Sequence, residues 1–163
     1  MSLVLVLFSV IGFSQQKISS TNQFSIDFDN ETLYAVSLDQ ISSLPSKSIG
    51  DISTVNHKGE VKGGRQNVKG VLLKDLLGKV NLGLSKPKDL FKYYFVLEAS
   101  DNYKAVLSYN EIFDTDNIYV ITESDGVVIQ KSKDRIEILS LSRLGQGHIY
   151  IKGLMKLELK AAD

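Results

Sequence analysis

Residues 149–159 read Ile149-Tyr150-Ile151-Lys152-Gly153-Leu154-Met155-Lys156-Leu157-Glu158-Leu159, and this stretch decides the class of fold. Ile149, Ile151, Gly153, Met155, Leu157 and Leu159 share one parity, while His148, Tyr150, Lys152, Lys156 and Glu158 share the other. A repeat of two is the repeat of a strand, whose alternate side chains point to opposite faces, so the pattern predicts a strand with one buried face. Gly153 leaves a gap in the apolar series and predicts a bend there.

The neighbouring segments extend the reading. Arg135 to Leu141 is strand-like, and the slip in phase from Ile136 and Ile138 to Leu139 and Leu141 predicts a bulge. Ile118 to Thr122 forms another strand, with Asp125-Gly126 as a turn signal after it. Tyr93 to Ala99 is an almost unbroken apolar run; Tyr103, Ala105 and Leu107 share one face of the next run, and Asp101-Asn102 turns between the two. Near the start, Phe24, Ile26 and Phe28 alternate with Ser25 and Asp27, and Asp29-Asn30 supplies the following turn.

Helices are few and short. Ser37 with Gln40, and Ser108 with Glu111, have the spacing of a capping box, in which the hydroxyl accepts from the third helical amide and the longer side chain reaches back. They predict a helix over Leu38 to Ser43, limited by Pro45, and a second one from Ser108 through Ile112 and Phe113. Val71 to Leu77 places leucines 72, 73, 76 and 77 on one helical face, with Gly78 as a left-handed cap. Strands dominate, so the expected class is α+β: a mixed, sheet-rich fold with short helices in one domain over residues 23–160.

Composition narrows the partners. Nineteen basic residues balance nineteen acidic ones, so no overall field favours nucleic acid, an anionic membrane or an acidic substrate, and recognition must be local. The absence of cysteine removes disulfides, thiolate metal sites and thiol nucleophiles. The apolar run MSLVLVLFSVIGF is too short for a bilayer span of about 20 residues and reads as the core of a signal peptide over residues 1–15, although it lacks the usual Lys or Arg ahead of it. A buried N-terminal strand is the alternative. Export predicts a periplasmic or secreted protein with no membrane association after cleavage.

Four segments carry a resemblance to a known family. They are Leu38-Asp39-Gln40-Ile41 with Leu44-Pro45; Gly70-Val71-Leu72-Leu73-Lys74-Asp75-Leu76-Leu77; Asp101-Asn102-Tyr103 leading into Tyr109-Asn110-Glu111-Ile112; and Ile151-Lys152-Gly153-Leu154-Met155-Lys156-Leu157-Glu158-Leu159. Their order and spacing resemble the molybdopterin-binding domain of the sulfite-oxidase family across nearly the whole body. That resemblance implies a sulfite-oxidase-like fold and a pterin-type pocket, with molybdopterin as the cofactor such a pocket would hold. In catalytic members a cysteine thiolate ahead of the second segment binds molybdenum. The matching stretch here, Ser53-Thr54-Val55-Asn56-His57-Lys58-Gly59, has no thiol.

The remaining polar residues suggest a pocket near Asn56, His57, Arg65, Arg143 and His148. His57 sits among Asn56, Lys58 and Gly59, which is equally the composition of an exposed loop. His148, Tyr150 and Lys152 fall on one strand face and, with Arg143 close by, offer an imidazole, a phenol and cations to an anionic ligand; a solvated polar face is the plainer reading. Lys62-Gly63-Gly64-Arg65 lacks the strand-to-helix context of a phosphate loop and reads as a hairpin tip. Gly145-Gln146-Gly147 lacks the third glycine of a dinucleotide fingerprint. Asp114, Asp116 and Asn117 miss calcium-loop spacing, and neither histidine has a partner at metal-ligand spacing. Three functions follow: a non-catalytic ligand- or cofactor-binding module, a molybdopterin-dependent oxidoreductase lacking the protein thiolate, or a module that binds a protein or glycan.

Overall fold

The computed structural model describes residues 17–55, 60–84, 87–132, 136–141 and 149–162. Strand holds 54% of the described residues and helix 15%, so the α+β class is led by its sheets. The strands are β1 (Gln23–Phe28), β2 (Glu31–Ser37), β3 (Lys47–Val55), β4 (Val61–Leu72), β5 (Tyr93–Ala99), β6 (Lys104–Ser108), β7 (Ile118–Ser124), β8 (Val127–Val128), β9 (Glu137–Ser140), β10 (Ile149–Lys152) and β11 (Leu154–Ala161). Three short helices, α1 (Leu38–Ser42), α2 (Leu73–Leu77) and α3 (Tyr109–Phe113), and a 3-10 turn over Pro87–Lys92 complete the described elements.

Two sheets share the strands. The first runs β2-β1-β11-β5-β6, and the second runs β10-β9-β7-β4-β3 with β8 pairing β7. Pairing is antiparallel except between β1 and β11, where Ile26 lies beside Leu157 in a parallel ladder. The main core gathers Phe24, Leu97 and Leu157 from the first sheet with Val120, Ile138 and Ile151 from the second. Ile41 of α1, Leu73 and Leu77 of α2, and Ile112 of α3 join the same cluster. A smaller cluster of Ile52, Val68, Ile121 and Leu139 is packed by Ile49, Leu141 and Tyr150.

Both capping boxes are present, with Ser37 accepting from the Gln40 amide at 3.4 Å and Ser108 from the Glu111 amide at 3.1 Å. Asp29-Asn30 and Asp125-Gly126 take the paired positive φ values that two-residue hairpins demand.

Several expectations are corrected. The C-terminal run is two strands, because Gly153 at φ +68 turns the chain out of the second sheet and into the first. The register of β11 against β5 shifts between Leu154 and Lys156, so Met155 is 52% exposed instead of buried, while Leu157 and Leu159 are buried as expected. Val71 and Leu72 close β4, leaving only Leu73–Leu77 helical, and Gly78 caps this helix in the right-handed region at φ −62. The slip at Leu139 is not a bulge: β9 keeps register with both neighbours, and all four of its residues are buried. Ile138 feeds the main core, while Leu139 feeds the smaller one. Tyr103 is exposed, held in the turn by its amide donating to Asp101 at 3.1 Å. Gly63-Gly64-Arg65 lies inside β4 rather than at a hairpin tip, with Gly64 opposite Ser53 and Arg65 opposite Ile52. The segment proposed as a signal peptide lies outside the described residues.

Candidate functional site

β4 brings Arg65 to the site because β3 and β4 run beyond the strand that β7 covers. β7 pairs with Lys69 to Leu72, while β3 accompanies β4 as far as Val61. Two irregularities reset the ladder just after Arg65: Asn67 takes φ +49 with its amide donating to Asp51 at 2.9 Å, and Gly50 of β3, opposite Val68, takes φ +90. The β7–β8 turn is pinned to the same place, as the Gln66 amide donates to Asp125 at 2.8 Å and the Asp125 amide donates back to the Gln66 carbonyl at 2.9 Å.

Arg65 is thereby held over a cleft of about 240 Å³. Its Nη1 donates to Ser124 Oγ at 3.0 Å and to Asp125 Oδ2 at 3.2 Å, while Nη2 reaches Glu137 Oε1 at 3.5 Å. The other Glu137 oxygen accepts from the Tyr150 hydroxyl, and Lys152 Nζ lies 4.9 Å from the Tyr150 ring centroid. Glu137 is only 8% exposed, which is tolerable for a carboxylate because both oxygens have charged or hydroxyl donors. Ile121, Val127 and Ile129 form the apolar wall, with the hydroxyls of Thr122, Ser124 and Ser132 among the lining groups.

Electrostatics follow the geometry. The Asp125 carboxyl sits below its ordinary range, first through the Gln66 amide and then through Arg65. Burial works against the Arg65 charge, yet Tyr150, Glu137 and Asp125 outweigh it and hold the guanidinium above its usual value. The Tyr150 phenol is pushed well above its usual value, first by burial and then by the Glu137 carboxylate. A raised phenol means that the unfolded chain releases its proton first, so this contribution is complete below about pH 10 and is lost as pH rises past it. Urea midpoints measured through that alkaline range are expected to fall in the wild type and to fall less in Tyr150→Phe.

Of the five candidate site residues, Arg65 reaches the cleft; Asn56, His57, Arg143 and His148 lie outside the described residues, as does Gly145-Gln146-Gly147. Glu137, Ser124 and Thr122 were not singled out from the sequence. One signal was present, the lone charge of Glu137 between Ile136 and Ile138. Tyr150 and Lys152 do share a polar face as expected, but Tyr150 is turned in to a carboxylate and is not simply solvated. Asp116 is held by Lys74 at 2.5 Å and Lys47 at 3.1 Å, and no group of metal-ligating side chains occurs among the described residues. No protein-family model matches the chain, and no curated protein matches it.

A molybdenum centre held as in the catalytic members of the family that the sequence resembles would take a cysteine thiolate, and the chain has no cysteine to supply it.

Proposed function

We propose that this chain is an exported, sulfite-oxidase-like domain that binds a small ligand. Within that class it is a non-catalytic binding module of the periplasm or the secreted fraction, its ligand held in the Arg65 cleft. The observation that carries the reading is the Arg65–Glu137 pair on the wall of a cleft with an apolar side, convergent polar groups beside apolar surface as a small-molecule site needs. The order of the capped helices, the hairpin turn and the closing strand supports the fold assignment. The lack of any thiol supports binding without molybdenum chemistry.

Purification from a host able to make molybdopterin, followed by native mass spectrometry, metal analysis and oxidised-pterin fluorescence, tests the reading. A small ligand retained without molybdenum, and lost in Arg65→Gln, is the expected result. Pterin with stoichiometric molybdenum would make the protein an oxidoreductase instead. A folded protein with no retained or added ligand in the cleft would leave only an interaction module.

A further inference from the structure

We infer that the cleft accepts a free α-amino acid with an apolar side chain, its ammonium placed on Glu137 and its carboxylate on Arg65. The inference rests on the ligand-binding reading above and names the chemical class of the ligand. The pairing of opposite charges is the first reason. Arg65 and Glu137 both line the cleft and stand side by side, 3.5 Å apart. Neither a simple anion nor a simple cation matches both. Either one would set a like charge against Glu137 or Arg65, whereas a zwitterion meets both with the opposite sign.

Spacing is the second reason. Tyr150 closes on Glu137 Oε2, and Nη1 of Arg65 is committed to Ser124 and Asp125, but the contact between Nη2 and Oε1 is 3.5 Å. That exceeds the roughly 2.7–2.9 Å of a strong charge-assisted bond, so it is the one loose joint in the cluster. The nitrogen and the carboxylate oxygens of an α-amino acid lie about 3 Å apart by covalent geometry. They can therefore meet Oε1 and Nη2 side by side from the cleft and replace one long contact with two short ones. The third reason is the wall: Ile121, Val127 and Ile129 offer apolar surface beside the charged pair, and about 240 Å³ suits a molecule of this size.

Isothermal titration calorimetry of the folded protein with leucine, 3-methylbutylamine and 4-methylpentanoate separates the charges. Leucine is expected to bind about tenfold or more tightly than the amine, which lacks the carboxylate, or the acid, which lacks the ammonium. Arg65→Gln and Glu137→Gln should each weaken leucine by about the same factor. Val127→Trp, at an exposed position on the apolar wall, should block binding even if a charge variant fails to fold. Equal binding of the amine or the acid, or no binding of leucine, isoleucine or valine at millimolar concentration, overturns the inference. Were another ligand still retained in an Arg65-dependent way, the ligand class alone would fall; with no ligand at all, the binding function would fall too.

Discussion

Replacing Phe95 with alanine is expected to destabilise the protein by about 3–5 kcal/mol, the range for deleting a buried aromatic side chain. Phe95 is fully buried in β5, paired with Leu159 of β11 on one side and Leu107 of β6 on the other. Its ring stacks on Tyr109 of α3 with centroids 6.5 Å apart, so the side chain ties the middle of the first sheet to a helix. The cost combines lost transfer energy with a cavity that neighbours fixed in two ladders cannot close. Because a domain of this size has about 5–15 kcal/mol in total, the variant should sit near its unfolding threshold at room temperature. The urea midpoint should drop sharply with little change in slope. Phe91→Ala, at a ring that is 67% exposed, should stay within about 0.5 kcal/mol.

The second large effect is expected at the corner between the sheets, where Gly153→Val should cost about 2–4 kcal/mol through two additive causes. Gly153 has φ +68, a region that penalises a side chain, above all a branched one. A Cβ would also lie 2.7 Å from Ser100 Oγ and 2.8 Å from the Ser19 carbonyl oxygen. Those two atoms belong to a strap in which the Ser19 amide donates to Ser100 Oγ at 2.8 Å, so the new side chain would push the strap off the sheet. Gly83→Ala is the matching control: φ is +70 there, but no atom lies within 4 Å of the added carbon. That variant should show the dihedral cost alone, about 1–2 kcal/mol. Faster hydrogen exchange at the amides of Ser19 and Ser100 in Gly153→Val would identify the strap as the element lost.

Local chemistry was readable from the sequence wherever one segment holds all the atoms involved. The two capping boxes need only side chains three residues apart, and the Asp29-Asn30 and Asp125-Gly126 turns need only residues that tolerate a positive φ. What could not be read was the partner of each strand. Gly153 signals the bend, but nothing in Ile149 to Leu159 indicates that the bend passes the chain between sheets, because the apolar alternation looks the same on both sides of the corner. The same limit explains Leu139, whose shift in phase marks burial on both faces rather than a bulge.

The candidate site suffers most from this limit. Arg65 could be picked out as a cation beside glycines, but Glu137 lies 72 residues away and Tyr150 another 13 beyond it. Only the pairing of β9 with β10, and the reach of β4 past β7, brings the three together. Their meeting is a property of topology, invisible to any local window.

The parallel pairing of β1 with β11 has a consequence in time. The earliest strand finds its second neighbour only when the last described strand exists, and β5 also waits for that strand as a partner. An emerging chain can form the β1–β2 hairpin and the β3–β4 hairpin, yet it cannot close the sheet to which β1 belongs. Closing that sheet thus waits for β11 and must join the most distant strands of the described chain, a slow route.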